Sequence, residues 1–188
     1  PDDLNIEVAF NRATYVGTAI DEVYKTLIIA FILVVIIIYL FLGNIKAVIV
    51  PAVALPVSLI ASFLGLYLFG LSINIFVLLS FILAIGIITD DSVIMTDAIY
   101  RRIENGESPL IAAYKGSKQI SFAIIATTLI LVAVFIPLIF IDGIAGTLFR
   151  ETAIALSVSV VVSSFVALTL SPMLASKFLK KEPKQNFI

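Results

Sequence analysis

The sequence predicts an all-α membrane protein built as a bundle of five transmembrane helices. Of 188 residues, 61% are apolar and only 13% are charged, with a mean hydropathy of +1.18. A soluble domain holds about 45–50% apolar and about 25% charged residues, so the excess has to face lipid. An apolar run over residues 27–42 continues an amphipathic helical start, and four more apolar stretches each meet or exceed the ~20 residues that a ~30 Å hydrocarbon core requires. Threading five spans through a bilayer also sorts the basic residues, a pattern that a missed or extra helix would scramble.

Residues 1–13 alternate polar and apolar, with Leu4, Ile6, Val8 and Phe10 on one face. A period of two marks a half-buried strand, expected to be the last strand of a soluble domain lying upstream. The chain opens Pro1-Asp2-Asp3, without an initiator Met or a visible signal peptide, and reads as a segment cut from a longer polypeptide. The membrane bundle is expected over residues 14–188. From Thr14 the spacing turns helical through Val16, Ile20, Val23 and Leu27. Asp21 and Lys25 stand one turn apart, and the first helix runs over about 14–42 after a wet start.

The remaining spans are expected at about 47–69, 73–103, 119–141 and 149–178. Gly43-Asn44 ends the first, and Gly70 ends the second just before Ser72, read as an N-cap. Pro51 and Pro56 come early in the second span, where a missing N–H is less costly. Ser108-Pro109 reads as the N-cap and N1 proline of a short cytoplasmic helix over about 109–116, closed by Gly116. Asp142-Gly143 and Gly146 read as the turn between the last two spans.

Five spans put the two ends on opposite sides. One side collects Lys46, Arg101, Arg102, Lys115, Lys118, Lys177, Lys180, Lys181 and Lys184; the other has only Arg12, Lys25 and Arg150. The positive-inside rule then makes the carboxyl end cytoplasmic and the amino end periplasmic or extracellular.

The chemistry open to the chain is narrow. It has no Cys and no His, which excludes disulfides, thiol nucleophiles, Cys/His zinc sites and imidazole acid–base work. A net charge of −1 gives no reason to expect nucleic acid. What stands out is the run FVLLSFILAIGIITDDSVIMTDAIYRR, an apolar span holding Asp90, Asp91 and Asp97. A carboxylate at a helix centre costs about 2.5–3.5 kcal/mol on insertion scales, so such residues face a bundle interior or a wet cavity and mark ion or proton paths. Burial disfavours the charged form of a carboxyl group, and two neighbours share protons and titrate as a pair. Asp90 and Asp91 are therefore expected as a proton relay that loads on one side of the membrane and unloads on the other.

Asp97 lies seven residues from Asp90, about 10 Å along the axis and on nearly the same face. It is a candidate accessory, with a solvated carboxylate or an ion pair to Arg101 as the plainer expectation. Gly86, one turn before Asp90, opens that face to a backbone or to water. A purely structural role, bonded to Ser or Thr of neighbouring helices, is the alternative for the pair. Ser157, Ser159, Ser163 and Ser164 read as close-packing positions rather than ligands, and Thr127 and Thr128 could turn a polar face toward the aspartates.

The stretch GIITDDSVIMTDAIYRRIENGESPLIAAYKGSKQISFAIIATTLILVAVFIPLIFIDGIAGTLFRE resembles the resistance-nodulation-division (RND) transporters, most closely their hydrophobe/amphiphile efflux branch. YLFLGNIKAVIVPAVALPVSLIASFLGLYLFGLSIN is similar to the two membrane helices that precede it there, and AFNRATYVGTAIDEVYKTL to the exit from the porter domain. The resemblance covers essentially the whole chain. It implies transmembrane helices two to six of the amino-terminal half, with Asp90 and Asp91 matching the family's paired proton-carrying aspartates on its fourth helix. Thr89 and Ser92 stand where the pattern has small apolar residues, Asp97 where it has Glu, and Asn11 where Asp is common.

The resemblance further implies a secondary active transporter rather than an enzyme, without a metal or cofactor and powered by the proton gradient. It would be a homotrimer in the bacterial inner membrane, exporting drugs or other amphiphiles that enter through a porter domain outside this chain. A periplasmic adaptor and an outer-membrane channel are the partners implied. Two alternatives stay open: a sensor-type five-helix module that binds lipid or sterol, and a proton-driven lipid or protein export subunit of the same superfamily.

Overall fold

The computed structural model describes residues 12–179, leaving undescribed the side chains of residues 12–16 and of Ile144. Five long helices account for nearly all of it: α1 (Arg12–Leu42), α2 (Ile45–Leu68), α3 (Ile75–Glu104), α4 (Pro109–Phe135) and α5 (Gly143–Phe178), with a 3-10 segment Ile136–Phe140 after α4. All five are long and apolar enough to cross a membrane. The all-α membrane bundle therefore holds, and no strand occurs among the described residues. The strand-like reading of residues 1–13 falls on residues 1–11, outside the described ones; Arg12 and Ala13 belong to α1.

Helix ends follow from local chemistry. Gly43, Gly70 and Gly106 take positive φ angles of 62°, 68° and 98° just past α1, α2 and α3, a backbone that costs glycine nothing. After α2 the Leu71 N–H reaches back to the Leu66 carbonyl at 3.1 Å, and after α3 that of Glu107 reaches Arg102 at 3.1 Å. Asn44 caps α2, accepting from the Lys46 N–H at 2.8 Å. The cap of α3 is Asn74, which accepts from the Val77 N–H at 3.0 Å; the expected cap, Ser72, lies outside the helix. Pro51 and Pro56 lie inside α2, beyond its first turn. The expectation that both occupy the lenient start of the span therefore fails.

Two further expectations give way. The short helix over 109–116 is not separate: α4 starts at Pro109 and runs unbroken through Gly116 into the membrane span. Gly116 is a contact point rather than a stop. A Cβ there would stand 2.9 Å from Ile99 Cγ1 and 3.3 Å from the Ile99 backbone, so the missing side chain is what lets α3 and α4 touch. That close contact with α3 offsets the ~1 kcal/mol penalty of an internal glycine. Likewise α5 begins at Gly143 rather than near 149, with Gly146 in its first turn and not in a loop. Pro137 falls in the 3-10 segment that finishes the fourth span.

The helices are not equivalent. α3 packs most extensively on α5 and also touches α1, α2 and α4; α5 packs on α2 and α4 as well. α1 and α4 present wide apolar faces outward, with Ile28, Ile32, Leu40, Phe122, Leu129 and Val134 among the exposed residues. Unbroken apolar surface of this kind suits lipid or another membrane helix. Small residues line the α3/α5 contact, including Ala84, Ala155, Ala167 and Ser163, the usual means of close approach in membranes. The aspartate pair lies on α3, the third span of this chain; the fourth position belongs to the numbering of the resembled family.

Other glycines discriminate between packing and open space. A Cβ on Gly65 would sit 2.5 Å from Val158 Cγ1, whereas one on Gly86 would meet nothing within 4 Å. Valine in a helix has essentially one rotamer and cannot step aside freely. Gly65→Ala is therefore expected to destabilise the bundle by ~1–2 kcal/mol. Gly86→Ala is expected to be neutral or to stabilise it by up to about 1 kcal/mol. Thermal unfolding in detergent measures both, and equal effects would contradict this packing.

Candidate proton-binding site

Asp90 and Asp91 fall on α3 between two apolar clusters. Toward one end Ile88 packs with Ala84 and Leu156; toward the other Met95 and Ile99 pack with Val50, Ile124 and Ala167. Between them the chain inserts a layer of polar side chains: Thr89, Asp90, Asp91 and Ser92 from α3, Thr128 from α4, and Ser163, Ser164 and Ser171 from α5. All of these except Asp90 and Asp91 are buried. The layer exists because hydroxyls in lipid must find partners, and here several find them across helices.

Asp91 is half-buried, and Ser164 Oγ donates to its Oδ2 at 2.9 Å. Ser164 also bonds the Thr128 hydroxyl, which lies 2.7 Å from the Ile124 carbonyl. Ser163 donates to the Ile88 carbonyl at 2.8 Å, and Ser92 and Ser171 bond each other at 2.9 Å. Thr89 donates to the Ile85 carbonyl at 2.5 Å. Thr89 and Ser92, the two departures flanking the pair, are thus engaged elsewhere and do not bond the carboxylates.

Asp90 points the other way, consistent with the ~100° between successive helical residues. It is exposed and, among the described residues, has no hydrogen-bonding or ionic side-chain partner. It borders two clefts. One, of about 330 Å³, lies between α3 and α4 and is shared with Asp91 and Thr127. The other, of about 370 Å³, lies between α3 and α1 and is shared with Gly86. Either has room for several waters. Among the described residues, the two carboxylates are the only ionisable groups lining them.

Asp97 stands apart. Its carboxylate pairs with Arg101 Nε at 2.9 Å, one turn on and largely exposed, a contact worth little to stability. It borders a different cleft at the Lys/Arg-rich end, of about 520 Å³, with Arg102, Asn105, Glu107 and Gln119. There Arg102 donates to Glu107 at 3.1 Å and to Gln119 at 2.7 Å, and Lys115 reaches Glu107 at 3.3 Å. These contacts brace the turn between α3 and α4.

Of the serines read as packing positions, Ser159 bonds its own helix through the Ala155 carbonyl at 2.8 Å, and Ser157 has a buried hydroxyl without a partner among the described residues. Ser164 departs from that reading, since it ligates Asp91 directly. Thr128 reaches the aspartate through Ser164, whereas Thr127 bonds backbone carbonyls of α4 and lines the cleft. Spacing alone could not reveal this, because the link joins residues 73 positions apart.

The sequence model of the AcrB/AcrD/AcrF family matches residues 1–187. A multidrug resistance protein MdtC of Pectobacterium atrosepticum is 40% identical over 186 residues, covering 99% of this chain and 18% of its own length. One from Yersinia enterocolitica is 38% identical over 183 residues, covering 97% and 18%. An uncharacterized transporter of Haemophilus influenzae is 39% identical over 188 residues, covering 100% and 18%. The chain thus spans about a fifth of the length of the curated relatives it matches.

Proposed function

We propose that this chain, which belongs to the AcrB/AcrD/AcrF family of resistance-nodulation-division transporters, is the proton-handling part of a secondary active efflux transporter. Asp90 and Asp91 take up protons from one side of the membrane and release them to the other while drugs or other amphiphiles leave the cell. The observation that carries this reading is the carboxylate pair half-way along the central helix α3, set in a polar layer and bordered by two clefts. An ionisable pair in a membrane span is costly and marks ion or proton pathways.

Each cycle needs the pair to be neutral in one state and charged in another. A neutral pair tolerates a closed, dry bundle, whereas a charged pair favours water or a counter-charge. Proton binding can therefore bias how α3 sits against α1 and α4. The substrate enters in a porter domain outside this chain, and the working transporter is a homotrimer that meets a periplasmic adaptor and an outer-membrane channel. The membrane is the bacterial inner membrane, with the amino end periplasmic and the Lys/Arg-rich carboxyl end cytoplasmic, as the charge sorting favours.

Collapsing the proton gradient tests the coupling. In vesicles carrying the full-length transporter, an imposed pH gradient is expected to drive efflux of a fluorescent amphiphile, and a protonophore to stop it at once. Efflux that continues without a gradient and stops on depletion of ATP would sink the proposal.

A further inference from the structure

We propose that Ser164 and Thr128 form a reversible hydrogen-bond chain that holds the Asp91 carboxyl in one place both with and without its proton. The inference rests on the proton-carrying role of Asp91 proposed above.

Proton counting carries the argument. Each hydroxyl has one hydrogen to donate and can accept others. Three contacts run in series: Asp91 Oδ2 to Ser164 Oγ, Ser164 Oγ to Thr128 Oγ1, and Thr128 Oγ1 to the Ile124 carbonyl. With Asp91 ionised, Thr128 donates to Ser164 and Ser164 donates to the carboxylate. With Asp91 protonated, the first two links reverse and the third forms: Asp91 donates to Ser164, Ser164 to Thr128, and Thr128 to the Ile124 carbonyl. That carbonyl is what makes the reversal complete, since it accepts in the second state. No covalent bond changes in either hydroxyl; each only rotates. Both states leave the buried Ser164 and Thr128 hydroxyls with a partner for their hydrogen, avoiding the cost of an orphaned donor.

A second observation separates Ser164 from ordinary helix serines. Ser62, Ser80, Ser159 and Thr169 donate to the carbonyl four residues back in their own helix, the default for hydroxyls in apolar helices. Ser164 instead spends its proton between helices, on α3. Among the described residues, Asp90 is the only other ionisable group in the cleft that α3 and α4 form beside it, and α5 meets it with Ser164. Ser164 is thus a positioning residue for the proton carrier, and Thr128 sets the direction of its hydroxyl.

The test uses the full-length transporter in lipid vesicles. Infrared difference spectra between acid and neutral pH report the carbonyl stretch of a protonated carboxyl group, assigned to Asp91 by its loss in Asp91→Asn. Ser164→Ala and the isosteric Thr128→Val are each expected to displace that band. Ser164→Ala is also expected to lower the maximal efflux rate roughly tenfold, the scale of one hydrogen bond to a charged group, at an unchanged half-saturating substrate concentration. Thr128→Ser, which keeps the hydroxyl, should retain the wild-type band and rate. An unmoved band with a wild-type rate in Ser164→Ala overturns the proposal, and so does a Thr128→Ser variant that behaves like Thr128→Val. A different pattern, in which Asp91→Asn pumps normally, removes the proton-carrying reading itself.

Discussion

Asp91→Asn and Asp90→Asn are each expected to reduce efflux by the full-length transporter at least roughly hundredfold, the scale on which a positioned proton-transfer group acts. Protein level in the membrane should stay unchanged. Asparagine nearly matches aspartate in shape but cannot take up or release a proton. It also removes an ionisable group from a span where charge costs about 2.5–3.5 kcal/mol, so insertion should become easier rather than harder. The amide can still accept from Ser164, which keeps the α3/α5 contact intact. A loss of function would then reflect lost proton chemistry and not lost fold. Asp97→Asn is the control: it breaks a largely exposed pair with Arg101 outside the polar layer and should leave most efflux in place. Drug-accumulation assays on cells with matched protein levels separate the three variants.

Gly116→Leu is expected to have the largest effect on assembly. Ile99 already stands within 2.9 Å of where a first side-chain carbon would go, and its backbone within 3.3 Å. The side chain of Ile99 can adjust, but its backbone belongs to α3 and moves only with the helix. Overpacking a tight contact costs typically ~1–3 kcal/mol, and leucine adds three further carbons with no outlet between α3 and α4. The shift would also disturb the neighbouring contacts of Ala112, Ala113 and Met95 in the same cluster. The variant should show a lowered unfolding temperature in detergent, by more than Gly65→Ala, and reduced accumulation in membranes. Normal stability would mean that the two helices do not meet at this glycine.

Much of this architecture was legible because lipid imposes simple rules. Runs of about twenty apolar residues became helices, and glycines 43 and 70 ended them as expected. The aspartate pair was legible for a related reason: two carboxylates stand out in a span where charge is costly. What local signals could not distinguish was a glycine that stops a helix from one that lets a neighbour approach. Gly116 and Gly146 looked like stops, yet both lie inside helices. The Ser72 cap failed because Asn74, two residues on, offers its side chain both to the Val77 N–H and to Glu151 of α5. Ser164 was hidden most thoroughly. Its spacing in α5 is that of a packing residue, and its partner lies on another helix. Only the three-dimensional arrangement sets it against Asp91.

The most direct test of the central claim is to follow protons and substrate together. The full-length transporter, reconstituted in vesicles with an internal pH dye, would be driven by an outward gradient of a charged amphiphile. The account expects protons to move opposite to the substrate in the wild type, and that flux to vanish in the Asp90→Asn/Asp91→Asn double variant. Proton movement that persists in the double variant, at a rate matching substrate transport, would contradict a role for these two carboxylates in carrying the proton.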